Sequence, residues 1–188
     1  MSTPEHPLDD VLIGGREKRE IVIVDHDPAW ASRYERERAR IVAALDERAI
    51  AVEHIGSTSV PGLAAKPIID IDLSVADLEA EDTYVPDLEA AGYVLRVREP
   101  GHRMFRTPEL DVHLHVCDLG GEWERRHRIF RDWLRNHPDD RRLYEDVKRS
   151  LADRTWSDMN DYADAKTEVV EAIMARAQAQ RDVIPGGA

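Results

Sequence analysis

Residues 67–75 read Pro-Ile-Ile-Asp-Ile-Asp-Leu-Ser-Val. In an extended chain successive side chains point to opposite faces. Ile69, Ile71, Leu73 and Val75 therefore fall on one side, and Asp70, Asp72 and Ser74 on the other. The stretch predicts a strand whose apolar side meets a core and whose other side carries carboxylates. A second run repeats the pattern: over Asp111–Cys117, Val112, Leu114 and Val116 alternate with Asp111, His113 and His115. A sheet with helices on one side gives such alternation without any function. That bland version places arbitrary polar residues on the open face, whereas this face carries acids, a serine and two imidazoles.

The remaining elements follow from local signals. Ile21–Val24 is a β-branched run and predicts a strand. Asp27-Pro28 opens a helix over Ala29–Glu47, with Asp as cap and Pro in the first turn. Ile50–Ile55 predicts a strand, and Leu78–Ala91 a helix stopped by Gly92. Tyr93–Val97 and Arg103–Thr107 predict strands. Glu122–Asn136, Asp139–Arg154 and Asp158–Gln180 predict helices, separated by His137-Pro138 and Thr155-Trp156-Ser157. Several strands follow one another through short connections, so the sheet is mixed. The expected fold is α+β: a mixed β-sheet packed on helices (20–118), then a C-terminal helical segment (121–180), in a single domain over 20–182. Residues 1–19 are expected to be flexible and 183–188 to form a tail.

The chain has 188 residues, 42% of them hydrophobic, which supports a real core. Its net charge of −12 repels nucleic acid and anionic lipid, so neither is an expected partner. No apolar run reaches membrane-spanning length and no secretory signal pattern stands at the N-terminus, so a cytoplasmic location is expected. The single cysteine, Cys117, lies in an apolar strand pattern and is expected to be a buried thiol.

The connection before the Asp strand is rich in chemistry. Gly56, Ser57, Thr58 and Ser59 follow the second strand, and Lys66 precedes the third. Gly permits close backbone approach, and hydroxyls with exposed N–H groups can hold a phosphate. Taken alone, Gly-Ser is an ordinary strand-exit turn. Asp70 and Asp72 stand about 7 Å apart along a strand. Two carboxylates at that spacing need a cation or a shared proton, and Mg²⁺ with phosphates suits them. Asp111 could supply a third carboxylate. His113 and His115 point the same way and can bind one metal or one phosphate. Such a site prefers zinc, iron or manganese to magnesium. His54 could join them or cap its strand. Lys148 and Lys166 each follow a tyrosine by four residues, so Tyr144/Lys148 and Tyr162/Lys166 share helix faces. A tyrosine could stack on a base while its lysine meets phosphate; the alternative is packing by Tyr and a solvated Lys. Arg125, Arg128, Arg131 and Arg135 form a row on one helix, best read as a solvated face balanced by Glu122, Glu124 and Asp132.

A strand, Gly-Ser, a strand with Asp-x-Asp and a later strand with another Asp resemble the pattern of nucleotidyltransferases. The run His54–Leu63, HIGSTSVPGL, followed by Lys66–Ile71, KPIIDI, resembles the signature of the GrpB family. So do His113–Val116, Phe130–Arg135 and the two Tyr-x-x-x-Lys pairs, and the resemblance spans roughly Ile21 to Ala175. It implies the nucleotidyltransferase fold and a relation to the accessory domain at the end of some bacterial dephospho-CoA kinases. The chain has no Walker-type phosphate loop, so that kinase activity is not expected. Asp72 and Asp111 depart from the family pattern.

Three functions are then open. The first is a nucleoside triphosphate bound with Mg²⁺ and a nucleotidyl group passed to a small-molecule acceptor. Asp70, Asp72 and Asp111 would hold metal, Asp111, His113 or His115 would act as base, and Gly56, Ser57, Thr58, Ser59, Lys66, Lys148 and Lys166 would hold phosphate. The second is a non-catalytic ligand-binding or folding-accessory module. The third is a phosphoesterase with a transition metal, zinc, iron or manganese, on His113, His115 and Asp70.

Overall fold

The computed structural model describes residues 11–15, 20–156 and 159–183. Five strands form one sheet: β1 (Ala51–Ile55), β2 (Ile69–Val75), β3 (Val94–Glu99), β4 (His102–Arg106) and β5 (Val112–Asp118), in the order β1-β2-β5-β4-β3. Only β2 and β5 run parallel; the other neighbours are antiparallel, as the short connections require. The parallel register sets Asp70 beside His113 and Asp72 beside His115, while β1 sets Glu53 beside Asp72.

The apolar face meets α1 (Ala29–Leu45) and α2 (Val85–Ala90). Ile69, Ile71 and Leu73 of β2 and Leu114 and Val116 of β5 are fully buried there against Trp30, Ile41, Leu45 and Leu88. Burying each such aliphatic side chain contributes about 1.5–3 kcal/mol. The start of α1 follows its sequence: the Ala29 N–H donates to Asp27 Oδ1 at 2.9 Å.

The opposite face is not left open. It is roofed by α3 (Glu122–Asn136) and α4 (Pro138–Ala152), with α5 (Met159–Asp164) and α6 (Thr167–Val183) behind. The β1–β2 connection is gripped from this side. Val60 and Leu63 pack with Leu134, Tyr144 and Ile173. The Ala64 N–H donates to Glu145 at 3.0 Å, and Arg135 donates to the Ser59 carbonyl at 2.7 Å. The sheet is thus covered on both faces, and the polar face is an interior surface.

Three expected elements differ. Ile21–Val24 is not a strand. Val24 alone pairs, with Ala65, while Ile21 and Ile23 pack toward Leu151, Val147 and Tyr162. The helix expected over Leu78–Ala91 is only α2, after a single 3-10 turn at Glu81–Thr83. Pro86 explains this: its ring would clash with a helical carbonyl four residues back, so it sits in the first turn. The helix expected over Asp158–Gln180 is broken between α5 and α6, and the break carries Lys166. Of the N-terminal segment expected to be flexible, residues 11–15 run beside β3. The Ile13 N–H donates to Arg96 O at 2.8 Å and the Arg98 N–H to Val11 O at 3.1 Å. Residues 1–10, 16–19 and 184–188 lie outside the described residues.

Leu73→Ala removes a fully buried side chain from the central strand and should cost about 2–5 kcal/mol. Urea unfolding should show that loss as a lower midpoint with an unchanged slope.

Candidate functional site

The two alternating strands bring Asp70, His113 and His115 together. Asp70 Oδ1 lies 3.3 Å from His113 Nδ1 and 3.9 Å from His115 Nε2. One ligand atom from each of the three falls within 4.8 Å of the others, and this is the one such group of acids, histidines or cysteines among the described residues. A charge-assisted hydrogen bond would be about 2.7–2.9 Å. Ligand atoms around a tetrahedral ion with bonds of 2.0–2.1 Å stand about 3.3 Å apart. The 3.3 Å spacing of Asp70 and His113 matches two ligands of such an ion, and the 3.9 Å spacing to His115 is wider. Burial works against ionising Asp70, but protonated His113 and His115, as donors and positive charges, outweigh it and hold its carboxyl well below the usual range; a neutral His115 gives no such help.

A relay behind His115 fixes which nitrogen faces Asp70. Glu99 Oε1 lies 2.7 Å from His102 Nδ1, and His102 Nε2 lies 2.9 Å from His115 Nδ1. Burial, with the charges of His115 and His127, pushes His102 down to about 2, so its ring is neutral and carries one proton. Burial raises the Glu99 carboxyl above its usual value, with His115 opposing. While Glu99 is ionised, His102 Nδ1–H donates to it and His102 Nε2 accepts from His115 Nδ1–H. His115 Nε2 then presents a bare lone pair toward Asp70. This is the carboxylate–histidine arrangement that orients a metal-binding imidazole. Trp123 stacks on His102 at 3.8 Å between centroids and clamps the relay.

Asp72 and Asp111 do not join Asp70. The Asp72 side chain is fully buried, and both its oxygens face His127 Nδ1 at 2.9–3.0 Å. Asp111 precedes β5, so the strand alternation no longer governs it. Its carboxylate accepts from Arg33 of α1 and from Thr107, each at 2.8 Å. The expected three-carboxylate Mg²⁺ site is therefore not assembled. One carboxylate and two imidazoles match Zn²⁺, Mn²⁺ or Fe²⁺ instead.

A cavity of about 530 Å³ opens over this cluster. Its wall includes Gly56, Ser57, Thr58 and Lys66 from the β1–β2 connection, and Tyr144, Lys148, Tyr162 and Lys166 from the C-terminal helices. Among the described residues the lining carries Lys66, Lys148, Lys166 and Arg126, the last paired with Glu171 outside it, against two carboxylates, Asp70 and Glu99. In a chain of net charge −12 this is a local reversal of sign. Burial, then the charges of Lys166, Arg149 and Lys66, push Lys148 down to about 7. Burial likewise lowers Lys166, against the opposing pull of Asp70.

The tyrosines do not wait for a base. Tyr144 is 6% exposed and Tyr162 fully buried. Lys148 lies 4.7 Å over the Tyr144 ring, and Lys66 and Lys166 lie 5.0 and 4.7 Å from the Tyr162 ring. The Tyr162 hydroxyl and the Trp123 Nε1–H, both of residues on the cavity wall, have no hydrogen-bond partner among the described residues.

Gly56 has a φ of +67°, and a side chain there would press on the Asp70 carboxylate, with Asp70 Cβ only 3.0 Å away. The positive φ and the approach of Asp70 both demand glycine here. Thr58 bonds the Ile68 carbonyl and His54, and Ser59 bonds the Gly56 carbonyl, so both hydroxyls brace the turn. His54 is on the apolar face, stacked on Tyr34 and held by burial at about 4. In the arginine row, Arg131 is buried against Glu53 at 2.6 Å, Arg135 grips the loop, and Arg125 and Arg128 line a separate groove of about 950 Å³ beside α6.

A profile described as GrpB protein matches residues 20–176. The chain belongs to the GrpB family. A UPF0157 protein of Streptomyces coelicolor is 56% identical over 170 residues, covering 90% of this chain and 91% of that one. A UPF0157 protein of Halalkalibacterium halodurans is 48% identical over 185 residues, with 95% of each chain covered. A protein named dephospho-CoA kinase in Mycolicibacterium paratuberculosis is 32% identical over 173 residues, which take in 77% of this chain and 42% of that one. The solved structure of conserved protein GrpB from Enterococcus faecalis superposes with a TM-score of 0.76 at 31% identity, over 85% of this chain and 98% of that one. The GrpB-family fold seen here, a five-stranded mixed sheet between helices, is consistent with a nucleotidyltransferase-like α+β fold. No described helix is long and apolar enough to cross a membrane.

Sequence reasoning passed over His102, Glu99, His127 and Trp123. Two signals were available. Glu99 and His102 flank the Pro100-Gly101 turn and so face each other across a hairpin. His127 and Arg131 are four apart on α3 and so meet the sheet's acids together.

Gly56→Ala should cost about 1–3 kcal/mol in backbone strain alone. The Gly56→Ala/Asp70→Ala double variant should be less destabilised than the sum of its parts, because the second change removes the atoms that a Cβ meets. Calorimetry of the four proteins measures that coupling.

Proposed function

We propose that this GrpB-family chain holds one divalent transition-metal ion on Asp70, His113 and His115 and acts there on a small phosphorylated molecule. The observation that carries the reading is one cavity in which a two-imidazole, one-carboxylate cluster stands opposite Lys66, Lys148 and Lys166. Burial lowers Lys148 and Lys166, and the charges of Lys166 and Lys66 lower Lys148 further, so an anion among them regains favourable energy. A phosphate offers oxygens to several ammonium groups at once, and the metal cluster takes neutral or anionic oxygen as well.

The residues divide the task. Lys66 and Lys166 hold the phosphoryl oxygens and offset their charge. Tyr162 and Trp123 offer unused donors to ligand atoms. Glu99 and His102 keep the His115 lone pair turned inward. A bound ion would add Lewis-acid polarisation of the phosphoryl oxygen. The preferred reaction is phosphoester cleavage or transfer, with Zn²⁺ or Mn²⁺ rather than Mg²⁺. A second reading makes the ligand a nucleoside triphosphate and the reaction nucleotidyl transfer to a small-molecule acceptor. The position of Gly56-Ser57 after β1 and of Asp70 on β2 favours it.

After dialysis against Zn²⁺ or Mn²⁺ the protein should retain about one ion per chain, with Asp70→Asn and His113→Ala retaining none. Elemental analysis by mass spectrometry checks this, and retention of Mg²⁺ in place of either ion would contradict it. Glu99→Gln should weaken metal affinity about 10–100-fold in a chelator competition. ATP, or p-nitrophenyl phosphate, should raise the melting temperature only of metal-loaded protein, and Lys166→Met should reduce that rise. Release of phosphate or of diphosphate separates the two reactions.

A further inference from the structure

Three hydroxyls follow one another in the β1–β2 connection, and only one is uncommitted to the backbone. Thr58 and Ser59 donate to the carbonyls of Ile68 and Gly56. Ser57 lines the cavity, and its Oγ lies 3.1 Å from Lys148 Nζ. Burial raises the Tyr144 hydroxyl above its usual value, and Ser57, which lies near it, acts to lower it.

Lys148 is 3% exposed, and its surroundings are positive or neutral on nearly every side. On α4 it meets the Tyr144 ring and stands near Glu145 and Arg149. From the β1–β2 connection it faces Ser57, the Ala64 carbonyl and Lys66, and from the C-terminal segment Lys166. Glu145 is the opposing charge on the same helix, and it already accepts from Arg149 at 2.9 Å and from the Ala64 N–H at 3.0 Å, while Asp70 and Glu99 stand on the same cavity wall. Burial and this crowd of cations leave the amine close to half neutral near pH 7. A neutral amine has one lone pair. With one of its N–H bonds held by the Ala64 carbonyl, that lone pair can accept the Ser57 O–H.

We propose that Ser57 is the nucleophile of this site and Lys148 its general base, so that a phosphoester is cleaved through a phosphoserine. The proposal rests on the reading of the cavity as a phosphoester site and replaces the phosphate-holding part expected of Ser57. In the first step Ser57 Oγ forms a bond to phosphorus, its proton moves to Lys148 Nζ, and the P–O bond to the leaving group breaks. The ammonium of Lys148 returns the proton to the departing oxygen. In the second step water attacks the phosphoserine and its proton passes to Lys148. The P–O bond to Ser57 breaks, and Lys148 gives the proton back to Ser57 Oγ. Atoms and charge balance, and no redox partner is needed. The pairing of a hydroxyl with a desolvated lysine is a known way of activating serine.

The test uses the full-length zinc-loaded protein and a biotinylated fluorophosphonate, whose P–F bond breaks when a serine attacks. Intact mass and peptide mapping should show one adduct per chain on Ser57 and none in Ser57→Ala. The labelling rate should rise with pH through about 7, because only the neutral amine takes the proton. Lys148→Arg keeps a donor for the Ala64 carbonyl but has no usable base, and should label at least about 100-fold more slowly. An unlabelled wild-type protein, a label on another residue, or a Lys148→Arg rate equal to wild type overturns the proposal. Metal retention and the p-nitrophenyl phosphate thermal shift are measured on Ser57→Ala in parallel. If both persist while wild type is unlabelled, the nucleophile is wrong and the site stands; if both are absent from wild type, the site itself is wrong.

Discussion

Putting charge on a sheet face that helices then cover creates a severe constraint, because a buried carboxylate without a partner costs several kcal/mol. Every acid on this face is answered. Glu53 meets Arg131 and Asp72 meets His127, both supplied by α3. Asp70 is answered differently, by His113 and His115 from the neighbouring strand, at distances too long for strong hydrogen bonds. The two solved pairs fix the helical roof over the sheet. The looser third group is where the roof leaves a cavity.

That distinction gives Asp70 and Asp72 separate roles despite their shared face. Asp72 is spent on structure: removing His127 would strand a fully buried charge. Asp70 keeps a 28% exposed side chain and borders the cavity. The connection between β1 and β2 is shaped by the same residue. Gly56 must be glycine to pass Asp70, and the turn that follows then sets Ser57 against Lys148. Helices α3 and α4 hold that connection through Arg135, Glu145 and Lys148, so site and roof are one assembly.

Much of this was legible in the sequence where period and turn chemistry speak locally. The alternation in β2 and β5 named Asp70, His113 and His115 and put them on one face. The GrpB motifs named the family, and the Tyr-x-x-x-Lys pairs named two lysines that do reach the cavity. What was not legible depends on elements distant in the chain. Asp70 and Asp72 are equivalent by alternation; His127, some 55 residues later, makes them differ. Asp111 follows the same pattern but lies just outside its strand, where Arg33 takes it. Ile21–Val24 has strand propensity, yet its side chains are used to pack beneath α4 and only Val24 pairs. Propensity gave way to packing there, as it commonly does for short β-branched runs.

The central claim is that one carboxylate and two imidazoles, not three carboxylates, hold the ion on this face. X-ray absorption at the zinc edge of the zinc-loaded protein tests it most directly. The account predicts two imidazole nitrogens at about 2.0–2.1 Å with a carboxylate oxygen completing the protein ligands. Replacing either His113 or His115 should remove an imidazole from that shell. A shell of oxygens alone, or one unchanged by both replacements, would contradict it.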